Sequence, residues 1–181
     1  MYNENARGEQ IAGDVMAPIE VAWLVKAGIA GITAGALMAM FAMVLAALDG
    51  LGLWAPPRAI TAVFFGEDNL GGSLVLADVA VGIGIHMVLS MAFGVMFALG
   101  IGLAAAYLTP SVEVLLGAIW ALVLWAVNTY AIADIFNGGE LFTQAMPDWV
   151  WILSHAIYGM TLGLVYAWWR HGTTAVTEKQ L

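Results

Sequence analysis

Residues 86–98 read HMVLSMAFGVMFA, and residues 155–167 read HAIYGMTLGLVYA. The two segments align without a gap. They share a histidine, then a small residue, a methionine, a glycine, an aromatic residue and an alanine at matching positions. Each segment lies inside a longer apolar stretch, which is typical of a membrane-spanning helix. The duplication therefore predicts two equivalent membrane helices, one in each half of the chain.

The composition agrees with a membrane location. Of the 181 residues, 62% are hydrophobic and 10% are charged, and the mean hydropathy is +0.91. Soluble domains are about 45–50% apolar and about 25% charged, so a water-soluble globule is excluded. Thirteen acidic residues against five lysines and arginines leave no basic patch for nucleic acid. The absence of cysteine excludes disulfides and thiolate metal sites.

Four apolar stretches are long enough to cross a bilayer, which takes about 20 residues. The predicted spans are Trp23–Leu48, Val79–Tyr107, Val112–Ile135 and Asp148–Trp169. A polar segment, residues 1–20, precedes the membrane domain of residues 21–171, and a tail of residues 172–181 follows it. Between the first two spans, Arg58–Phe65 predicts a short helix that is either amphipathic or partly re-entrant.

The duplicated segments divide the membrane domain into two helix pairs, residues 21–108 and 111–170. Gly35-Ala36-Leu37 in the first span matches Gly117-Ala118-Ile119 in the third. Both pairs start on the same side of the membrane, as parallel repeats do. The sequence thus predicts an all-α, polytopic membrane four-helix bundle made of two parallel helix-pair repeats.

Basic residues predict the orientation, because cytoplasmic flanks collect lysine and arginine. Arg7, Lys26, Arg170 and Lys179 flank the two termini, whereas Arg58 alone lies in the opposite loops. We therefore expect an integral protein of the inner (cytoplasmic) cell membrane with both termini in the cytoplasm.

Small residues recur at spacings of four, the pattern that lets membrane helices pack closely. The predicted helix-packing residues are Gly31, Gly35, Ser90, Gly94, Gly159 and Gly163. Under this interpretation His86 and His155 are buried groups hydrogen-bonded to neighbouring helices. Asn128, in the third span, is expected to bond across to another helix.

An alternative interpretation gives the histidines a cofactor. His86 and His155 lie at matched depth above small residues, an arrangement that can host a haem b with two histidine ligands. Few basic residues are available for its propionates, which favours packing over haem. A copper site is a weaker alternative, based on five methionines in the spans, Met38, Met87, Met91, Met96 and Met160; these positions scatter around the helices.

Three segments carry a resemblance to a known group of proteins. They are residues 31–42, GITAGALMAMFA, residues 52–60, GLWAPPRAI, and Phe65-Gly66. With the two histidine-bearing helices, the chain resembles uncharacterised bacterial and archaeal four-span integral membrane proteins. The resemblance implies the same four-span fold and implies no activity.

The sequence contains no recognisable Ser/His/Asp set, phosphate loop or paired-carboxylate site. Spans that are apolar on nearly every face are suited to contact lipids and other helices. The function expected from the sequence is therefore a non-catalytic accessory, assembly or stabilising subunit of a larger membrane complex, such as a respiratory or other energy-converting complex.

Cysteine accessibility tests the predicted topology on this cysteine-free background. An Asn69→Cys variant should react with a membrane-impermeant maleimide from outside intact cells, because residue 69 lies in the first outer loop. A Gln180→Cys variant should react only after permeabilisation. Labelling of residue 69 from the cytoplasmic side alone would contradict the orientation.

Overall fold

The computed structural model describes residues 21–66, 68, 76–102, 108–137 and 140–172. These residues form helices and no strand. The elements are α1 (Val21–Leu48), α2 (Ala55–Phe65), α3 (Leu76–Gly102), α4 (Pro110–Val127), a π-helical turn (Asn128–Ile132), α5 (Ala133–Asn137), α6 (Glu140–Ala145) and α7 (Asp148–Gly172).

Four helical stretches in the described residues are long and apolar enough to cross a membrane. They are Val21–Leu48, Leu76–Gly102, Pro110–Phe136 and Asp148–His171. The prediction of an all-α four-helix bundle is confirmed. The predicted segment 1–20 and residues 103–107, the last of the second predicted span, lie outside the described residues. Of the predicted tail, 172–181, only Gly172 is described, and it is the last residue of α7.

Local sequence signals explain where several helices begin and end. Thr109 is the N-cap of α4, and its side chain accepts a hydrogen bond from the Val112 amide at 3.4 Å. Pro110 follows at the first helical position, where a missing N–H has no cost. After α1 and α2, Gly50 and Gly66 adopt φ values of 82° and 100°, a conformation that glycine adopts without steric strain.

The long helices pack in two pairs. α1 lies against α3, α4 lies against α7, and contacts between α1 and α7 join the pairs. The short helix α2 packs on α3 and also contacts α6. We call the end of the bundle that carries α2 and α6 the loop end, and the end where α1 begins and α7 finishes the termini end.

Glycine sets the distance within each pair. A Cβ atom on Gly31 would strike the Ser90 carbonyl oxygen and approach the Gly94 Cα to 3.1 Å. In the other pair, a Cβ atom on Gly117 would strike the Gly159 carbonyl oxygen. It would also approach the Cα of Gly163, the counterpart of Gly94, to 3.2 Å. Backbone lies against backbone at both crossings, which is how small residues associate membrane helices.

These contacts refine the correspondence between the first and third spans. Gly31 meets Ser90 and Gly94 as Gly117 meets Gly159 and Gly163. The structure therefore makes Gly31 the counterpart of Gly117, one helical turn from the Gly35 that the sequence match suggested. Gly35 is the counterpart of Ala121 and faces the Ser90 side chain. The first and third spans are apolar and have glycine at several positions, so their sequences allow Gly117 to align with either Gly31 or Gly35. The position of the helix crossing distinguishes the two alignments.

Two clusters of buried side chains form the interior. The first extends toward the termini end, with Phe97, Leu162 and Tyr166 among its members. The second lies at the loop end, where Val63, Met146 and Trp151 pack together. Large apolar side chains on all four long helices are exposed, including Ile29, Val88, Leu115 and Leu164. An exposed apolar surface on every span is what a lipid environment requires.

Substitution of the crossing glycines tests the packing. Gly117→Ala should lower the free energy of unfolding by about 1–3 kcal/mol, the usual effect of overpacking, because its Cβ would meet the backbone of α7. Unfolding by sodium dodecyl sulfate in mixed micelles measures this change.

The matched control is Gly84→Ala on α3, where an added Cβ meets nothing within 4 Å. This variant should keep or raise stability, since alanine favours a helix over glycine by about 0.5–1 kcal/mol. Equal effects of the two substitutions would show that the crossing is not tight.

Candidate functional site

A cavity of about 100 Å³ lies between the helix pairs, on the loop side of the glycine crossings. Its wall includes members of both buried clusters, such as Met38, Leu124 and Trp151. Most of the wall is apolar, and α2 covers part of it through Ile60 and Phe64. Its polar residues are His86, Ser90, Asn128, His155 and Tyr158. The structure thus brings both sequence-predicted histidines and Asn128 to one cavity.

His86 connects α3 to α1. Its Nε2 donates a hydrogen bond to the Gly35 carbonyl oxygen at 2.9 Å, and the Ser90 hydroxyl lies 3.5 Å from the same nitrogen. A Cβ on Gly35 would collide with the Ser90 side chain, so glycine at this position lets the imidazole reach the backbone of α1. The interaction is a hydrogen bond to a neighbouring helix, as the packing interpretation expects.

His155 is bonded within its own helix instead. Its Nδ1 donates to the Trp151 carbonyl oxygen at 2.8 Å, one turn back along α7, and the residue is 6% exposed. In a neutral ring this bond leaves Nε2 as an acceptor. No described residue forms a hydrogen bond with that nitrogen. The two duplicated histidines therefore have different bonding patterns.

Tyr158 connects the two halves of the bundle. Its hydroxyl on α7 donates to the Ser90 carbonyl oxygen on α3 at 2.8 Å, and the side chain is buried. The same carbonyl faces Gly31 at the first crossing. One position of α3 therefore contacts both α1 and α7.

Asn128 begins the π-helical turn that interrupts the third span. Its Oδ1 atom is buried and has no hydrogen-bond partner within the described part of the chain. This oxygen therefore accepts no bond from another helix within the described residues, and the predicted bond of Asn128 across to another helix stays a prediction. The hydroxyls of Thr129 and Ser154 are also buried without a partner there. π turns occur frequently at functional sites, and a buried unpaired acceptor is costly unless a ligand or water satisfies it.

The space beside the small residues, which suggested room for a haem, is filled by the backbone of the neighbouring helices. Gly94 faces the backbone of α1 at Ala27 and Gly31, and Gly163 faces the backbone of α4 at Glu113 and Val114. The cavity of about 100 Å³ is also below the roughly 300–1,000 Å³ of ordinary ligand pockets. The residues present, packed in this way, do not fit a haem.

Three of the five methionines of the copper alternative lie on the bundle surface. Met38 lines the cavity, whereas Met91, Met96 and Met160 are exposed on the bundle surface. Within the described residues there is no group of three or more His, Cys, Asp or Glu side chains that could hold a metal ion.

A second polar cluster lies at the termini end, and the sequence analysis missed it. Glu113 is fully buried on α4, and its Oε1 lies 2.7 Å from the Arg170 guanidinium and 3.4 Å from His171 Nε2. Arg170 also approaches the Leu108 carbonyl oxygen at 3.5 Å. A glutamate four residues inside an apolar helix, with Arg-His ending the last span, is the signal that could have indicated this pair.

Comparisons with protein-family models, curated proteins and solved structures find no match for this chain. The resemblance to four-span membrane proteins stays a prediction from sequence.

A double-mutant cycle tests the buried ion pair. Arg170→Met should lower the free energy of unfolding by about 1–3 kcal/mol, because it leaves the buried Glu113 carboxylate with only the longer contact to His171. The Arg170 side chain is 21% exposed, which keeps the loss below that of a fully buried pair. The double variant with Glu113→Gln should regain part of the loss, since the remaining group is neutral. Additive losses in the two single variants would contradict a direct interaction.

Proposed function

We propose that this chain is a non-catalytic subunit that assembles with, or stabilises, a larger membrane complex. The observation that supports the proposal is the use of its interior polar groups. His86 bonds the backbone of α1, Tyr158 bonds the backbone of α3, and Glu113 pairs with Arg170. Polar groups that form contacts between helices stabilise the packing of the bundle. Removing one partner leaves the other buried without a hydrogen bond, which lowers the free energy of unfolding.

The outer surface supports the same proposal. Each long helix exposes large apolar side chains, and on α4 they form a continuous stripe, Leu115, Ile119, Leu122 and Val123. α4 is also the helix whose packing within the chain is concentrated on α7. Its remaining face is available to lipid or to a helix of another subunit.

The location proposed is the cell membrane, with both termini in the cytoplasm, since basic residues concentrate near the chain ends. The partner class proposed is other membrane subunits, with respiratory or other energy-converting complexes as the setting. Lipids cover the faces that partners leave open.

Native electrophoresis after mild solubilisation tests the proposal. The epitope-tagged chain, expressed at its natural level, should migrate far above its 19.1 kDa mass with partners at fixed stoichiometry. The double variant Leu115→Ala/Ile119→Ala should release the partner while the purified subunit keeps its melting temperature. The matched control, Ile29→Ala/Val25→Ala, removes exposed side chains of α1 and should leave the complex intact.

Migration as a bare monomer or a simple homodimer, with no co-purifying subunit, would overturn the proposal. Release of the partner by both double variants equally would place the interface elsewhere than on α4.

A further inference from the structure

We propose that the cavity between the helix pairs is an internal water site, in which a cluster of about three water molecules joins α3 of one pair to α4 and α7 of the other. The class of ligand is a molecule of the size of water that both donates and accepts hydrogen bonds. The inference goes beyond the assembly role, because it concerns what connects the helices of the isolated chain.

The wall presents a buried acceptor to the cavity. His155 is 6% exposed, and its Nδ1 donates to the Trp151 carbonyl oxygen at 2.8 Å. In a neutral ring the lone pair of Nε2 then remains free to accept a bond. No described residue forms a hydrogen bond with that nitrogen. A ligand in the cavity can therefore donate to it.

The wall also presents donors. Ser90 is 4% exposed, and its hydroxyl lies 3.5 Å from His86 Nε2. That nitrogen already directs its hydrogen to the Gly35 carbonyl oxygen, so it cannot accept the hydroxyl hydrogen of Ser90. The amide of Asn128 carries a donor and an acceptor, and rotation by 180° exchanges the two. A mixed set of donors and acceptors favours water, which does both.

The volume of the cavity agrees with water. A water molecule takes up roughly 30 Å³ in the liquid, so the cavity of about 100 Å³ has room for about three. A ring is too large, since the dry cavity that binds benzene measures roughly 150 Å³. A cation is not favoured, because the described wall residues include no carboxylate. Cavities with polar groups hold water, whereas purely apolar cavities stay dry.

The polar wall residues come from three helices. Ser90 lies on α3, Asn128 on α4 and His155 on α7, and all three line the cavity. Within the chain α4 packs mainly on α7. Among the described residues no hydrogen bond joins α3 to α4 directly. Waters that bridge two protein groups are nearly as favourable in enthalpy as a direct hydrogen bond, so the cluster supplies the connection between these two helices.

Solid-state NMR of the full chain in deuterated lipid bilayers tests for the water. Transfer of magnetisation from water is measured at the Cδ2 proton of His155, which lies beside Nε2 and does not exchange with solvent. We expect transfer to this proton, as to the same proton of His171, whose side chain is 39% exposed. The methyl groups of Leu162, which is fully buried away from the cavity, should receive none.

Two variants locate the water. Ala42→Leu places a larger side chain in the cavity wall and should abolish the transfer to His155. Its melting temperature should stay or rise, which separates loss of water from unfolding. Asn128→Leu should reduce the transfer about twofold, since a buried water is held by two to four polar partners. The control Val123→Leu, on the exposed face of α4, should show the transfer of the natural chain.

A double-mutant cycle tests the connection between α3 and α4. Ser90→Ala and Asn128→Leu should have non-additive effects on the free energy of unfolding, because members of one hydrogen-bond network are coupled. The double variant should lose less than the sum of the single losses. The matched control replaces Asn128→Leu by Thr129→Val. Thr129 is buried beside Asn128 but does not line the cavity, so its loss should add to that of Ser90→Ala.

No transfer from water to His155 in the natural chain would show a dry cavity and overturn the proposal. Transfer that persists in folded Ala42→Leu would place the water elsewhere and overturn it as well. Additive losses for Ser90→Ala and Asn128→Leu would overturn the connection between α3 and α4. All three measurements use the purified chain, so their failure would leave the proposed assembly role untouched.

Discussion

The closeness of two helix crossings determines the rest of this molecule. Gly31 lies against Ser90 and Gly94, and Gly117 lies against Gly159 and Gly163, with no side chain between the backbones. Lipid tails are as apolar as leucine, so burial alone gives membrane helices little reason to associate. Close van der Waals contact and hydrogen bonds between helices must supply the attraction. Glycine makes both possible, since it brings carbonyl oxygens within reach of side chains on the next helix.

The position of the cavity follows from the same crossings. Gly31 and Gly35 on α1 precede Met38 and Ala42, which line the cavity, and Gly117 on α4 precedes Leu124 in the same way. Where two helices touch at glycines, they are held close together. Further along, toward the loop end, larger side chains keep the helices apart and leave a space between them. The polar residues collect beside this space, where His86 and Tyr158 complete the contacts between helices. Packing and the candidate site are therefore consequences of one arrangement.

Much of the fold could be predicted from the sequence. Four apolar stretches bounded by Asp49-Gly50, Pro110 and Asp148 indicate four spans, because hydropathy and helix-breaking residues act locally. The duplicated histidine segments indicated two related helices for the same reason. The α2 helix was also indicated, by Arg58–Phe65, although the structure extends it back to Ala55.

The site was harder to predict, because it depends on how far each helix rotates about its axis. Rotation decides that His86 reaches Gly35 on another helix while His155 bonds one turn back on its own. The π turn at Asn128 depends on tertiary packing, and no local signal in the sequence marked it. Glu113 pairs with Arg170 across 57 positions of sequence, a contact that becomes visible only once α4 and α7 are known to be neighbours.

Solid-state NMR of the protein in lipid bilayers, with glycine labelled at its carbons, measures the crossings directly. Close packing predicts carbon–carbon cross-peaks between Gly31 and Gly94 and between Gly117 and Gly163, with these four glycines shielded from lipid. Cross-peaks from the same glycines to lipid acyl chains, in place of those between helices, would contradict the arrangement on which the cavity and its polar wall depend.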